Sequence, residues 1–115
     1  MEIYIGYANL DKTIFEVHSY EIEKETDKEY FFTEDLLSYL TPLDTYKAVP
    51  KHWVDINNKP NYIRGMSLNQ ERTELLYYSM DKEDILDTIE YQRKYVGTQV
   101  SKKWYDDHQL EYVEH

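Results

Sequence analysis

The sequence predicts an α+β fold over residues 1–115: one domain with a small antiparallel β-sheet packed with a long C-terminal helix. Three observations lead there. The first third alternates β-branched and aromatic residues with charged ones between short turn signals, the pattern of hairpins. Further on the period changes: Ile85, Ile89, Val96, Val100 and Trp104 recur close to helical spacing, with Leu86 beside them. Finally, 115 residues with 41% hydrophobic and 16% aromatic content suffice for one core and leave no room for two ordinary domains. Strands segregated from a helix in this way favour α+β.

Each element has a local reason. In residues Glu2 to Ala8, Ile3, Ile5 and Tyr7 share a face by the two-residue period, and Asn9-Leu10-Asp11-Lys12 reads as a turn. Thr13 to Glu25 is a long second strand, Thr26-Asp27-Lys28 a hairpin tip, and Glu29-Tyr30-Phe31-Phe32 the returning strand. Thr33-Glu34-Asp35 resembles a capped helix start, so a short helix is expected over Glu34 to Leu40, stopped by Pro42. Residues 41–70 are interrupted by Pro42, Pro50, Pro60 and Gly65, with short strands at Tyr46 to Val49 and Tyr62-Ile63. Glu74 to Tyr78 is a better strand. Ser79 or Asp81 then caps the principal helix, whose first turn is acidic.

Charge is unevenly distributed. The chain carries 23 acids against 13 bases, a net of −10. Residues 1–45 hold −8, residues 46–80 hold +2 and residues 81–115 hold −4. A negative field opposes direct binding to nucleic acid or to anionic membranes and suits a basic protein surface. The densest run is Glu21-Ile22-Glu23-Lys24-Glu25-Thr26-Asp27-Lys28-Glu29, with acids at every second position. On a regular strand such side chains share a face about 6.6 Å apart, close to the spacing of successive phosphates. Glu21, Glu23, Glu25, Asp27 and Glu29 are therefore candidate partner-binding residues, joined by Asp87 and Glu90, the helix acids that capping does not explain. The same residues also serve as solvated faces, and charged edges discourage aggregation.

Chemistry is sparse. There is no Cys, which excludes disulfides and thiolate sites. Five serines, at positions 19, 38, 67, 79 and 101, sit in no nucleophile motif, and Gly6, Gly65 and Gly97 form no phosphate loop. His108, Glu111 and His115, with Asp107 nearby, share one side of a helix, but a chain terminus is a poor metal site. The expectation is no catalytic residue, no metal and no cofactor. Lys47, Lys51, His52, Trp53, Lys59, Tyr62, Arg64 and Arg72 mix cations with aromatics, which suits a small nucleotide or equally an ordinary loop. No segment is long and apolar enough to span a membrane, and Met1-Glu2-Ile3-Tyr4 lacks a signal peptide's basic start, so a cytoplasmic protein is expected.

Tyr20 to Phe32 and Tyr77-Tyr78-Ser79-Met80-Asp81-Lys82-Glu83-Asp84 resemble stretches of small acidic proteins encoded by phages and prophages of low-GC Gram-positive bacteria. Together they cover about a third of the chain. That resemblance implies an inhibitor of host defence, of the anti-CRISPR or anti-restriction type, occupying a nuclease's DNA-binding surface. The alternatives are a nucleotide-binding module around Trp53, Tyr62 and Arg64, and an interaction protein whose acidity serves only solubility.

Overall fold

The computed structural model describes residues 1–55 and 65–95. Strands β1 (Glu2–Asn9), β2 (Ile14–Glu25) and β3 (Glu29–Phe32) come first. A 3₁₀ turn at Ser38–Leu40 precedes β4 (Ala48–Pro50) and the short helix α1 (Lys51–Asp55). β5 (Gly65–Ser67), β6 (Glu74–Ser79) and α2 (Lys82–Tyr95) complete the described chain. The described strands form one antiparallel sheet in the order β4-β3-β2-β1-β6-β5. The fold is thus a mixed one, as expected, built on an antiparallel sheet.

Alternation along β1 divides the molecule into two cores. Ile3, Ile5 and Tyr7 point to one face with Leu76, Tyr78, Tyr30 and Phe32, where Leu36, Leu40, Val49 and Val54 cover them. Ala8 points to the other face with Tyr77, and α2 closes it with Ile85 and Ile89. Gly6 is where α2 comes nearest: a Cβ there would stand 2.7 Å from Ile89 Cδ1, so the helix seats itself on a bare patch of backbone.

α2 starts as its sequence indicates. Asp81 Oδ1 accepts from the Glu83 and Asp84 amides at 3.0 and 3.2 Å, and Ser79 Oγ accepts from the Asp81 amide at 3.0 Å. Of the two candidates Asp81 is the cap, and Ser79 holds the turn that leads into it. The described helix spans 14 residues; Val96, Gly97, Val100 and Trp104 lie outside the described residues, as do His108, Glu111, His115 and Asp107.

One element is corrected. The expected helix at Glu34 to Leu40 is absent, and only its last turn, Ser38–Leu40, is helical. Tertiary acceptors take the two amides on which the helix start depends: Leu36, which the Thr33 side chain would have capped, and Leu37, which would have bonded the Thr33 carbonyl. Thr33 donates to the Glu21 carbonyl, Leu36 to the Tyr46 carbonyl and Leu37 to the Tyr20 hydroxyl. Leu37 is extended, at ψ 142°, and the segment lies across the sheet with Leu36 and Leu40 buried.

Candidate interaction surface

The β2–β3 hairpin extends past the end of β1, with β4 beside β3 as far as Glu29↔Pro50 and Lys51 N donating to the Lys28 carbonyl at the tip. β1 pairs β2 from Asn9↔Ile14 to Glu2↔Glu21, Met1 still accepts from the Ile22 amide, and beyond that point β2 has only β3 beside it among the described residues. The tip is held by Thr26, whose Oγ1 accepts from the Lys28 and Glu29 amides at 3.3 and 3.1 Å. Thr26 N donates to the Glu29 carbonyl at 2.9 Å and closes the turn.

The expected single row of carboxylates does not form. The register shifts between Ile22↔Phe32 and Lys24↔Phe31, leaving Glu23 as the extra residue of a β-bulge. One extra residue reverses the alternation. Glu21 stands opposite Glu2 on the face away from the larger core, whereas Glu25 stands opposite the buried Tyr30. Ile22 and Phe32 impose the shift, since both pack at the larger core.

The predicted acids therefore separate by environment. Glu21 lies 3.4 Å from the N-terminal ammonium. Glu25 pairs with Lys51 at 2.6 Å, and the Lys51 ammonium also lies 5.2 Å from the Tyr30 ring centroid. Glu90 takes Arg93 at 2.6 Å and Lys94 at 4.0 Å; the Arg93 hydrogen bond holds its carboxyl below the usual range. Asp87 is exposed on α2. Glu23, Asp27 and Glu29 have no ion-pair partner among the described residues, and the first two are exposed.

Beside the tip lies an open groove of about 830 Å³, lined by Asp27, Lys28, Glu29, Pro50, Lys51, His52 and Asp55. The Tyr30 hydroxyl donates to Asp55 Oδ1 at 2.9 Å, and burial together with that carboxylate raises its pKa to about 12. Trp53 is not presented as a stacking platform. It is half-buried, and its ring lies 5.7 Å from that of Tyr78. Lys59, Tyr62, Ile63 and Arg64 lie outside the described residues.

A second polar group lies on the larger-core face of β2, where alternation alone puts Glu16 and His18 on one side and Tyr39 is the member the sequence does not indicate. His18 Nε2 lies 3.0 Å from Glu16 Oε1, and the Tyr39 hydroxyl donates to the same oxygen at 2.7 Å. These contacts, His18 first, lower the Glu16 pKa, while hydrogen bonding to Glu16 raises that of Tyr39 to about 12. The two-residue spacing of Glu16 and His18 flags the pair; nothing local points to Tyr39, which arrives through the turn at Ser38–Leu40.

The chain matches no protein-family model, no curated protein and no solved structure. No group of three or more metal-ligating side chains occurs among the described residues, and no described helix is long and apolar enough to cross a membrane.

Proposed function

We propose that this protein is a non-enzymatic inhibitor of the phage type. It binds a host defence or DNA-processing protein, such as a CRISPR effector or a restriction nuclease, and blocks its nucleic-acid site with an acidic surface. The observation that carries the reading is the β2–β3 hairpin beyond the end of β1, whose bulge and tip hold Glu23, Asp27 and Glu29 without intramolecular ion pairs among the described residues. Uncompensated carboxylates gathered at one hairpin suit a basic groove better than they suit internal stability. Glu21, Glu25 and Glu90 become flanking charge in this reading. It implies a bacterial cytoplasmic location, a single domain, and a long C-terminal helix continued by Val96, Val100 and Trp104 at helical spacing.

The test is affinity capture from a bacterial lysate at low and high salt, with the wild-type chain and a Glu23→Lys/Asp27→Lys variant. The expected result is a DNA-acting protein that is recovered at low salt, released by salt or competing DNA, and lost by the variant. A folded variant that captures the same protein undiminished sinks the mechanism. The open groove beside Lys51 and His52 supports one alternative, a small-ligand or nucleotide-binding module, in which Lys28 and Lys51 would have to outweigh Asp27, Glu29 and Asp55. A rise in melting temperature with nucleotides supports that reading.

A further inference from the structure

β2 carries an open edge beyond the part that β3 uses. β3 pairs with Ile22–Glu25, and Thr33 bonds to the Glu21 carbonyl on the same side. From Ile14 to Tyr20, β2 has β1 on one side and no strand on the other among the described residues. Direction follows from two contacts. The Ile22 amide turns toward β1, donating to the Met1 carbonyl, and the Glu21 carbonyl turns away toward Thr33. By alternation the N–H and C=O groups of Phe15, Val17 and Ser19 all point outward from β1. None of those six groups has a main-chain hydrogen bond outside its strand among the described residues. Such an edge is a template for another strand.

We propose that the occupant is a second copy of this chain, paired antiparallel through β2 about a two-fold axis at Val17. The edge is complementary to itself. In that register Val17 faces Val17 of the other copy, Phe15 faces Ser19, and each outward N–H meets an outward C=O. On the opposite face of the strand Glu16 stands against His18, and His18 against Glu16. Tyr39 and His18 both use Glu16 Oε1, and His18 uses Nε2 for its own Glu16, so among the described contacts the second carboxylate oxygen of one copy remains for the Nδ1 of the other copy's imidazole. Glu16 and His18 keep side-chain exposures of 37% and 23%, so the pair is reachable.

The ends of the edge select this register. It begins at Ile14, after a turn in which Thr13 has φ 53°, and ends where Thr33 occupies the position beside Glu21. Centring on Glu16 would oppose like carboxylates and place Ser19 against the turn residue Thr13. Centring on His18 would oppose two imidazoles and place Phe15 against Glu21, which Thr33 already occupies. Only the Val17 register uses all three outward residues and sets a carboxylate against an imidazole at both positions. Pairing also covers an edge that carries the half-buried Phe15 and Val17 and the exposed Ile14. The result is a C2 dimer with one sheet continuous across both copies.

Sedimentation equilibrium of the full chain tests the dimer. The expected mass is twice the 14.0 kDa of one chain. Because each copy carries −10, added salt should strengthen the association by screening repulsion, opposite to its effect on acidic-hairpin capture. A wild-type chain that stays at 14.0 kDa at every concentration and salt overturns the proposal. Val17→Pro removes an outward N–H and leaves the β1 ladder its donors, so it should give a folded monomer; a folded V17P dimer overturns the proposal. If V17P does not fold, two charge variants decide. Glu16→His alone opposes imidazoles and His18→Glu alone opposes carboxylates, each weakening the dimer by about tenfold. Mixed in equal amounts they place His against Glu at every position, and the heterodimer should recover. Failure of the mixture to associate better than either variant alone overturns the pairing.

Discussion

Tyr39 shows how much one hydroxyl organises here. It donates to Glu16, its ring lies edge-on to Tyr7 at a centroid distance of 4.8 Å, and Glu16 in turn holds His18. His18 contributes first to the lowered Glu16 pKa; the Tyr39 hydrogen bond contributes second there and first to the raised Tyr39 pKa, so that shared part is not counted twice. Tyr39→Phe should cost roughly 1–2 kcal/mol in urea unfolding, and the Glu16 carboxyl should titrate closer to its ordinary range by NMR. The tyrosines also set an alkaline limit. In the unfolded chain Tyr30 and Tyr39 lose their protons near 10.0, whereas in the fold they hold them to about 12. Over that window the unfolded state binds fewer protons, so stability is fully present below pH 10 and falls as pH rises toward 12. Denaturation midpoints measured across this range should decline, and Tyr39→Phe should flatten part of the decline. Glu16 acts in the opposite sense: its contribution is present above the ordinary carboxylate range and is lost on acidification.

At the scale of elements, α2 depends on its first turn and on its seat. Asp81→Ala removes the acceptor for two amides and should cost about 1 kcal/mol, read from chemical denaturation, with Asp81→Asn recovering most of it. Gly6→Ala drives a methyl against Ile89 Cδ1 and Cγ1, at 2.7 and 2.8 Å, and against Ile85 Cγ2 at 3.2 Å. Ile85 is fully buried, so the helix must lift or repack, at a cost of about 1–3 kcal/mol. Ile89→Val beside Gly6→Ala should restore part of that loss, because it shortens the side chain that reaches the new methyl. The hairpin is the contrasting element. Thr26 fixes its turn, while its outer residues carry charge that the sheet does not neutralise.

The whole molecule carries a net charge of −10, and much of it gathers along β2 and the tip beyond it. Glu23→Lys/Asp27→Lys changes that net charge to −6 at two exposed positions without ion pairs among the described residues. Relief of self-repulsion should leave the melting temperature unchanged or raise it at low salt, and the difference should shrink as salt is added. A lower melting temperature at low salt would mean that these two carboxylates stabilise the fold. Two surfaces then divide the long second strand: its far half supports the acidic hairpin, and its near half offers a self-complementary edge.

Local pattern determines more of the strands than of what covers them. β3 at Glu29–Phe32 follows from the alternation of Tyr30 and Phe32, and the start of α2 from the side-chain oxygens of Ser79 and Asp81, both effects acting within a few residues. The acidic run is plain in the sequence as well. Its geometry is not, because the bulge at Glu23 exists only once Ile22 and Phe32 enter the same core and force the register. The same holds for residues 33–37: helix-start chemistry is present, but acceptors on Glu21, Tyr46 and Tyr20 win their amides. The sequence by itself determined where charge is dense and where strands and the capped helix begin. Tertiary structure decided which carboxylates stay unpaired and which edge of β2 stays open among the described residues, because both depend on hydrogen bonds and packing between residues far apart in the chain.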